Sequence, residues 1–302
     1  MEKKIAIIGM GALWLLFGDI LQSAYDVGFI VDKDRQAIYG QQAVKINGME
    51  KSFPLLSAGS GAPVDLLLFA VKGPALLQAM EDASTYIGPD TILLSLLNGI
   101  SSEEIIAKRF GAEHVVFCIA EGMDAVRTER SLTYTKKGKL CIGLPGGKTS
   151  KDLETVAAIF QKAGVPYSLD EDILHRLWGK FMLNVGVNQV VMVREGTYGT
   201  VQKDPEARGE MLMAMREVIA LSKLEGICVT EEDLRYYVGL VDTLSPDGMP
   251  SMRQDGLAKR KSEVELFAGT VCRLARKHHL AVPVNEALYK AIQDKEASYL
   301  AP

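Results

Sequence analysis

The chain has 302 residues, of which 48% are hydrophobic and 24% charged, with a formal net charge of −4. This length allows two domains with buried cores, and the composition is that of an ordinary globular protein. The acidic balance argues against general nucleic-acid binding, which needs a basic surface. No apolar run is long enough for a signal peptide or a membrane span.

The cysteines and histidines give no sign of a metal site. The cysteines are far apart and lack metal-ligand or redox spacing, which favours reduced thiols in a cytoplasmic protein. They are Cys118, Cys141, Cys228 and Cys272. The histidines show no zinc-type spacing either. They are His114, His175, His278 and His279. We therefore expect no bound metal.

The first residues read as a strand, a glycine turn and a helix. Ile5–Ile8 is a short apolar run of the kind found in buried parallel strands, and Val27–Val31 is the next such run. Between them, Gly9-Met10-Gly11-Ala12 opens a helical stretch that reaches about Tyr25. Gly9 permits a tight turn, and Gly11 lets the backbone approach a pyrophosphate at the helix N-terminus. The pattern predicts a dinucleotide-binding unit.

Trp14 departs from this fingerprint. It stands where a third small residue usually lets the helix pack closely on the strand. One hypothesis is that the indole displaces the helix end and weakens cofactor binding. The alternative is that Trp14 points to the rear of the sheet and packs beside Leu15 or Phe17.

The residues after the second strand bear on cofactor choice and leave it open. A carboxylate there binds a ribose 2′-hydroxyl and favours NAD, whereas a basic residue binds a 2′-phosphate and favours NADP. Asp32 points to the first cofactor, and Lys33 and Arg35 point to the second. A solvated loop accounts for at least some of these residues.

Further strands alternate with helices through the first half, which predicts a doubly wound parallel sheet. Asp65–Val71 leads to Lys72, and Thr91–Leu97 leads to Asn98-Gly99. Lys72 and Asn98 each follow the carboxyl end of a strand, where ligands bind in such sheets. Asn47-Gly48 predicts one hairpin. A second hairpin is expected between 132–135 and 140–143.

From residue 170 the pattern is almost wholly helical. We expect helices at roughly 170–193, 205–225, 230–243, 256–278 and 285–299. Asp170 is expected to cap the first of these helices and Asn285 the last. The domains are therefore predicted as 1–168 for the sheet and 169–302 for the helices.

Polar residues line one face of the first long helix. Lys180, Asn184 and Asn188 are four residues apart, so they stack on one side among apolar neighbours. A buried lysine is costly unless it is paired or used, and burial brings its pKa towards values suited to proton transfer. The alternative is a polar stripe that meets solvent. Glu263 similarly is either a site residue or part of a surface salt bridge.

Several motifs together resemble the ketopantoate reductase (2-dehydropantoate 2-reductase) family over nearly the whole chain. They are the Gly-x-Gly-Ala-Leu turn, Val71-Lys72, Leu97-Asn98-Gly99, Leu-Trp-Gly-Lys with Asn184 and Asn188, Pro-Ser-Met with Gln254-Asp255, and Lys-Ser-Glu-Val-Glu. The resemblance implies a Rossmann domain joined to an all-helical domain. It also implies NADPH-dependent reduction of a 2-oxo acid on the route to pantothenate.

Site residues follow from the same resemblance. Lys180 matches the general acid, which would supply a proton and stabilise the charge that hydride transfer builds on the ketone oxygen. The substrate-side matches are Asn98, Asn184, Asn188 and Ser251. The cofactor-side matches are Gly9, Met10, Gly11, Ala12, Leu13, Lys72, Asn98 and Glu263. Lys33 is added to the cofactor-side residues because a basic side chain after the second strand would meet a 2′-phosphate. The expected cofactor is NADP, with NAD allowed by Asp32, and the expected partner is a small 2-oxo acid, with a homodimer allowed.

Tyr198 is a second departure, because the family often has a substrate-binding asparagine near that position. This residue puts the identity of the 2-oxo acid in question. One rival is therefore a reductase of the same fold that acts on another small oxo acid. The other rival, motivated by Trp14, is a dinucleotide-binding protein with little turnover.

Overall fold

The structure is a computed structural model, and it describes residues 3–9, 11–40 and 43–300. Met10, one of the expected cofactor residues, lies outside the described residues. By their contacts the residues divide into two compact units. The first contains the described residues up to Leu97 together with Ser101–Ile173, and the second contains Asn98–Ile100 and the described residues from Leu174 onwards. The domain boundary expected after residue 168 stays a prediction.

The first unit is built from strands and five α-helices among its described residues. The strands are β1 Lys4–Ile8, β2 Asp26–Val31, β3 Val44–Ile46, β4 Met49–Lys51, β5 Leu55–Ser57, β6 Leu66–Phe69, β7 Ile92–Ser95, β8 Val115–Met123, β9 Val126–Thr128, β10 Ser131–Thr133, β11 Lys137–Gly143 and β12 Tyr167–Leu169. The helices are α1 Ala12–Gln22, α2 Lys33–Tyr39, α3 Leu76–Asp82, α4 Ser102–Phe110 and α5 Lys151–Ala163.

In the part of the chain that the structure describes, the main sheet has eight strands in the order β12-β11-β8-β7-β6-β1-β2-β5. Neighbours are parallel except for β8 and β11, which are antiparallel. The chain order reverses between β1 and β6, and ligands bind beyond the strand ends at such a switch point. The predicted α/β class is confirmed.

A smaller sheet has the order β4-β3-β10-β9. The hairpin at Asn47-Gly48 is confirmed, because β3 and β4 pair antiparallel around two residues with positive φ. The hairpin expected between 132–135 and 140–143 is wrong. β10 pairs with β9 and β3, whereas β11 pairs with β8 in a register from Lys137↔Met123 to Gly143↔Phe117. The long β8 offers β11 a more extensive antiparallel partner than the short β10 does.

The main sheet is covered on both faces, as its continuous apolar runs predict. Along β1, Ile5 and Ile7 belong to one buried cluster, and Ala6 and Ile8 belong to the other. The first cluster includes residues of α1 and α5, and the second includes residues of α3 and α4. This double burial fixes the register of the parallel strands and so the positions of the turns at their carboxyl ends.

The described residues of the second unit form helices joined by loops, with no strand among them. Its helices are α6 Ile173–Val193, α7 Tyr198–Lys203, α8 Pro205–Leu224, α9 Glu231–Asp242, α10 Ser251–Leu257, α11 Thr270–His278 and α12 Pro283–Leu300. A π-helical turn, Glu265–Gly269, leads directly into α11. In residues 3–9, 11–40 and 43–300, no helix combines the length and apolar character that a membrane crossing requires.

Two expectations about these helices are wrong. The continuous helix predicted over 256–278 is interrupted over residues 258–264, between α10 and the π-helical turn. Within that turn, the Gly269 amide donates to the Val264 carbonyl five residues back. Asn285 does not cap the last helix, since α12 begins earlier, at Pro283. Proline suits a first helical position because it lacks an amide hydrogen. The amides of Val284 and Asn285 instead donate to the carboxylate of Glu217.

Candidate functional site

A chain of polar side chains runs through the second unit from Lys180. The Lys180 Nζ donates to Oδ1 of Asn98 at 3.2 Å, and Nδ2 of Asn98 donates to Oε2 of Glu263 at 3.1 Å. The ammonium selects the amide oxygen and the carboxylate selects the amide nitrogen, so the charges at both ends set the orientation of Asn98. The structure thus brings together three residues that lie far apart in the sequence.

Lys180 occupies a helix that is otherwise largely buried. Phe181, Met182 and Val185 are at most 1% exposed, whereas Lys180 is half-buried. Close packing of α6 depends on glycine, because a Cβ on Gly179 would lie 2.6 Å from the ring of Tyr237 in α9. A glycine inside a helix costs about 1 kcal/mol relative to alanine, and here it admits the aromatic ring. The absence of a side chain at Gly179 therefore lets α6 and α9 pack closely next to Lys180.

Asn184 and Asn188 lie on the same helix as Lys180, one and two turns further on. Asn184 is half-buried, and Asn188 is 7% exposed. Their spacing, confirmed as helical, stacks both amides on the face that carries the ammonium. Ser251 is the first residue of α10 and is exposed.

Glu263 is 8% exposed and lies just before the π-helical turn. Its backbone carbonyl accepts a hydrogen bond of 2.9 Å from the amide of Leu266. Gly99, with φ +94°, lies against the same turn, because a Cβ there would be 3.5 Å from the Leu266 carbonyl oxygen. The short Asn98–Ile100 segment therefore rests on the turn that follows Glu263.

In the first unit, the glycine turn lies at the end of β1. Gly9 has φ +125°, and a Cβ there would be 2.4 Å from the carbonyl carbon of Ala70. This position requires glycine. Gly11 is the N-cap of α1 and is exposed, and within residues 3–9, 11–40 and 43–300 the nearest atom to a Cβ there would be the Ala70 oxygen, 3.7 Å away. The protein itself therefore leaves space in front of Gly11.

The start of α1 has the character of an anion-binding helix end. Among the residues that the structure describes, no side chain caps it, and its first turn contains no acidic residue. Ala12 begins the helix, and Leu13 is half-buried. The free amides and the positive end of the helix dipole would suit a phosphate group. Lys72 is exposed and precedes a short 3₁₀ turn after β6, near the switch point of the sheet.

Asp32, Lys33 and Arg35 form a helix start rather than a loop. Asp32 is the N-cap of α2, and its Oδ1 accepts from the amide of Arg35 at 2.7 Å. Its Oδ2 pairs with the Arg35 guanidinium at 3.1 Å. Both Asp32 oxygens are therefore engaged with Arg35, whereas Lys33 is exposed.

Trp14 lies in the core and supports the packing alternative. Its side chain is 2% exposed, and its ring centroid is 4.4 Å from that of Phe29 and 5.6 Å from that of Phe53. The close approach of helix and strand occurs four residues later, at Gly18. A Cβ on Gly18 would lie 2.4 Å from the ring of Phe29. Our reading of the fingerprint missed this shift, although the sequence carries a signal for it in the glycine one turn after Trp14.

Comparison with known proteins follows the same division of the chain. A family model described as ketopantoate reductase PanE/ApbA matches residues 5–146, and the model for the C terminal part of ketopantoate reductase PanE/ApbA matches residues 172–296. The chain is 28% identical to 2-dehydropantoate 2-reductase of Vibrio cholerae over 235 residues, which are 78% of this chain and 79% of the relative. It is 26% identical to the enzyme of that name from Pyrococcus abyssi over 299 residues, 97% of this chain and 98% of the relative.

Solved structures are also similar. The crystal structure of 2-dehydropantoate 2-reductase from Geobacter metallireducens has a TM-score of 0.86 at 26% identity, with 96% of this chain and 99% of that chain covered. A complex of D-mandelate dehydrogenase with NADH has a TM-score of 0.89 at 23% identity, with 98% and 99% covered. The second likeness concerns the fold alone.

Proposed function

Because the chain belongs to the ketopantoate reductase family, we propose that it reduces ketopantoate (2-dehydropantoate) to pantoate in pantothenate biosynthesis, with NADPH as cofactor. The observation that carries the proposal is the hydrogen-bonded chain of Lys180, Asn98 and Glu263. The 2-dehydropantoate 2-reductases of Vibrio cholerae and Pyrococcus abyssi support the substrate.

Lys180 is proposed as the proton donor. Hydride addition to a ketone leaves negative charge on its oxygen, and an ammonium nearby stabilises that charge and supplies the proton. The Asn98 oxygen holds the ammonium at 3.2 Å, which limits the positions that Nζ can take. Asn184 and Asn188, on the same helix face, are proposed to orient the acid, and Ser251 is proposed as a further substrate-side donor.

The first unit fits a nicotinamide dinucleotide, which would supply the hydride when bound. Gly9, Gly11, Ala12 and Leu13 would hold its pyrophosphate, with backbone amides and the helix dipole in place of a side-chain cap. The exposed Lys72 adds positive charge after β6, and we propose it, with Glu263 and Asn98, as a cofactor-side residue.

Lys33 and Arg35 support NADPH over NADH in this proposal. The Asp32 carboxylate already caps α2 and pairs with Arg35, so it is less available to a ribose 2′-hydroxyl. The guanidinium of Arg35 and the ammonium of Lys33 would meet a 2′-phosphate. Replacing both Lys33 and Arg35 by alanine should raise the dissociation constant for NADPH more than that for NADH. Tighter binding of NADH than NADPH by the unchanged protein would contradict this choice.

Tyr198 favours a second candidate, a reductase of another small 2-oxo acid. Its amide donates to the Gly248 carbonyl at 2.9 Å, and a Cβ on Gly248 would lie 3.1 Å from its ring. The ring is thus held against the loop that leads to Ser251, and burial raises the pKa of its hydroxyl. A bulky phenol in place of an asparagine would alter the space for the tail of the acid.

The decisive experiment measures NADPH oxidation by the purified protein with ketopantoate and a panel of other 2-oxo acids. Preference for ketopantoate supports the first candidate, and preference for another acid supports the second. Turnover with none of the acids would refute both and leave a dinucleotide-binding protein.

The role of Lys180 is tested in the same assay. Lys180→Ala should lower kcat by about 10²–10⁴-fold, as loss of a general acid does, while NADPH still binds. The matched control is Lys203→Ala, which removes an exposed lysine at the end of α7. An unchanged kcat in the Lys180 variant would remove this residue from the mechanism.

A further inference from the structure

Gln189 is a fully buried polar residue one position after Asn188 on α6. Its side chain is 0% exposed. Its Nε2 donates to the Val185 carbonyl at 2.8 Å and to Oδ1 of Asn285 at 3.1 Å, and its Oε1 accepts from the amide of Ala268 at 3.1 Å. One amide therefore ties α6 to α12 and to the π-helical turn.

The bond to Ala268 replaces one that the helix itself does not make. In an α-helix, the amide of Ala268 would donate to the carbonyl of Val264, four residues back. In the π-helical turn that carbonyl accepts from Gly269 at 3.0 Å. A buried amide without a partner costs free energy, and Gln189 supplies the partner. The side chain of Gln189 thus stabilises the π-helical turn against its ordinary α-helical alternative.

The π-helical turn determines where Glu263 lies. The Glu263 carbonyl accepts from Leu266 inside the turn, and its carboxylate accepts from Asn98. From the other side, Glu296 of α12 accepts the amide of Ser262 at 2.7 Å. Since Lys180 and Gln189 share α6, the bond to Ala268 sets the distance between the helix that carries the ammonium and the turn that follows Glu263.

We propose that Gln189 is a positioning residue, which holds the π-helical turn in register with α6 and so keeps Glu263 and Asn98 in place for Lys180. Its effect on catalysis rests on the proposed function, whereas its effect on the turn does not. Without this bond the turn would relax towards an α-helix, and Glu263 would move with it because its carbonyl accepts from amides inside the turn. Turns of this kind occur often at functional sites.

The test compares Gln189→Met with Gln202→Met. Methionine has nearly the length of glutamine but lacks its donor and acceptor. Gln202 is a matched control in the same unit, because its Nε2 donates to the carbonyls of Val241 and Leu244 at 2.8 and 3.0 Å and joins α7 to the end of α9. Amide hydrogen exchange across 263–269 should become faster in the Gln189 variant and stay unchanged in the Gln202 variant.

Kinetics provide the readout that a merely structural role would not change. Misplacement of a site group by about 1 Å costs up to about 10²-fold in rate, so Gln189→Met should lower kcat/KM by roughly 10- to 100-fold. In the double variant Gln189→Met with Glu263→Gln, kcat/KM should fall no further than in the more damaging of the two single variants. In the control double variant Gln202→Met with Glu263→Gln, the changes in transition-state free energy from the two substitutions should add.

The outcomes are distinct. Unchanged exchange across 263–269 overturns the proposal, and so does an additive double variant. A wild-type protein with no turnover refutes the proposed function, and the exchange comparison still decides whether Gln189 holds the turn. If Gln189→Met does not fold, Gln189→Glu is used in acidic solution, where a neutral carboxyl group keeps an oxygen acceptor for Ala268 and places a hydroxyl donor beside the oxygens of Val185 and Asn285. It should retain the wild-type exchange pattern across 263–269, and faster exchange there would count against the proposal.

Discussion

Substitution of Trp14 tests whether this residue serves core packing or cofactor binding in the first unit. Its side chain is 2% exposed and packs against Phe29 and Phe53. Among the described residues, its buried Nε1 has no hydrogen-bond partner. The indole therefore contributes packing but also carries an unsatisfied donor. We expect substitutions here to change the free energy of unfolding rather than the affinity for NADPH.

The packing of the indole and its unpartnered Nε1 predict different stabilities for an alanine and a phenylalanine variant. Trp14→Ala removes a buried aromatic side chain, which typically lowers the free energy of unfolding by about 3–5 kcal/mol. Trp14→Phe keeps an aromatic ring near Phe29 and removes the unsatisfied donor, whose burial costs about 1–3 kcal/mol. This gain offsets much of the lost contact area, so the phenylalanine variant should stay within about 1 kcal/mol of the wild type.

Urea unfolding and NADPH titration of the wild type and both variants provide the measurement. The midpoint should fall clearly for Trp14→Ala and little for Trp14→Phe, with the same dissociation constant for NADPH in every folded protein. The reasoning is refuted if Trp14→Ala unfolds at the wild-type midpoint and binds NADPH about tenfold tighter, a difference of about 1.4 kcal/mol. That result would mean that the indole displaces the helix end at the cofactor site.

Three further predictions concern backbone strain and pH. Gly9→Ala should lower the melting temperature and weaken NADPH binding, because its φ of +125° and the backbone 2.4 Å away leave no room for a side chain; a normal melting curve would contradict this. Hydrogen bonds from Thr135, with those of backbone amides, hold the pKa of Asp124 below its ordinary value despite some burial. The ionised Asp124 therefore stabilises the fold fully above its ordinary pKa, and this stabilisation is lost as the pH falls through its lowered pKa in the folded protein. Asp124→Asn should thus reduce the free energy of unfolding, measured in urea, more at neutral pH than in acid. Burial and a 2.6 Å hydrogen bond to Glu265 raise the pKa of Tyr289 to about 12, so its stabilising bond persists below pH 10 and is lost towards pH 12; ultraviolet titration against Tyr289→Phe should reveal one tyrosine that ionises late.

Much of the fold was predictable because its signals are local. Ile5–Ile8, Val27–Val31 and the strand before Lys72 are short apolar runs that can only be buried between helices, and alternation with helices makes them parallel. The helix of Lys180 was predictable from its periodicity. By contrast, the break before Glu265 was hidden, since the apolar residues on either side keep a spacing that fits one continuous helix.

The candidate site was predictable as a set of residues but not as an arrangement. Asn98 lies 82 residues from Lys180 and 165 from Glu263, and no local pattern indicates that one amide bonds both. Gln189 was missed for a similar reason, because a glutamine in an apolar helix gains its meaning from Ala268, 79 residues away. Such contacts depend on packing of the whole second unit.

The Asn98–Ile100 segment has a consequence for the modular use of this chain. These residues belong by their contacts to the second unit, although they follow β7 of the first. A fragment that starts at Leu174 would retain Lys180 and Glu263 but lose the amide that joins them. The C-terminal half therefore cannot be moved to another protein with its polar chain intact. Gene fusion or recombination at the boundary near residue 173 would separate Glu263 from its donor, Asn98. Selection that preserves this polar chain must act on both halves of the gene together.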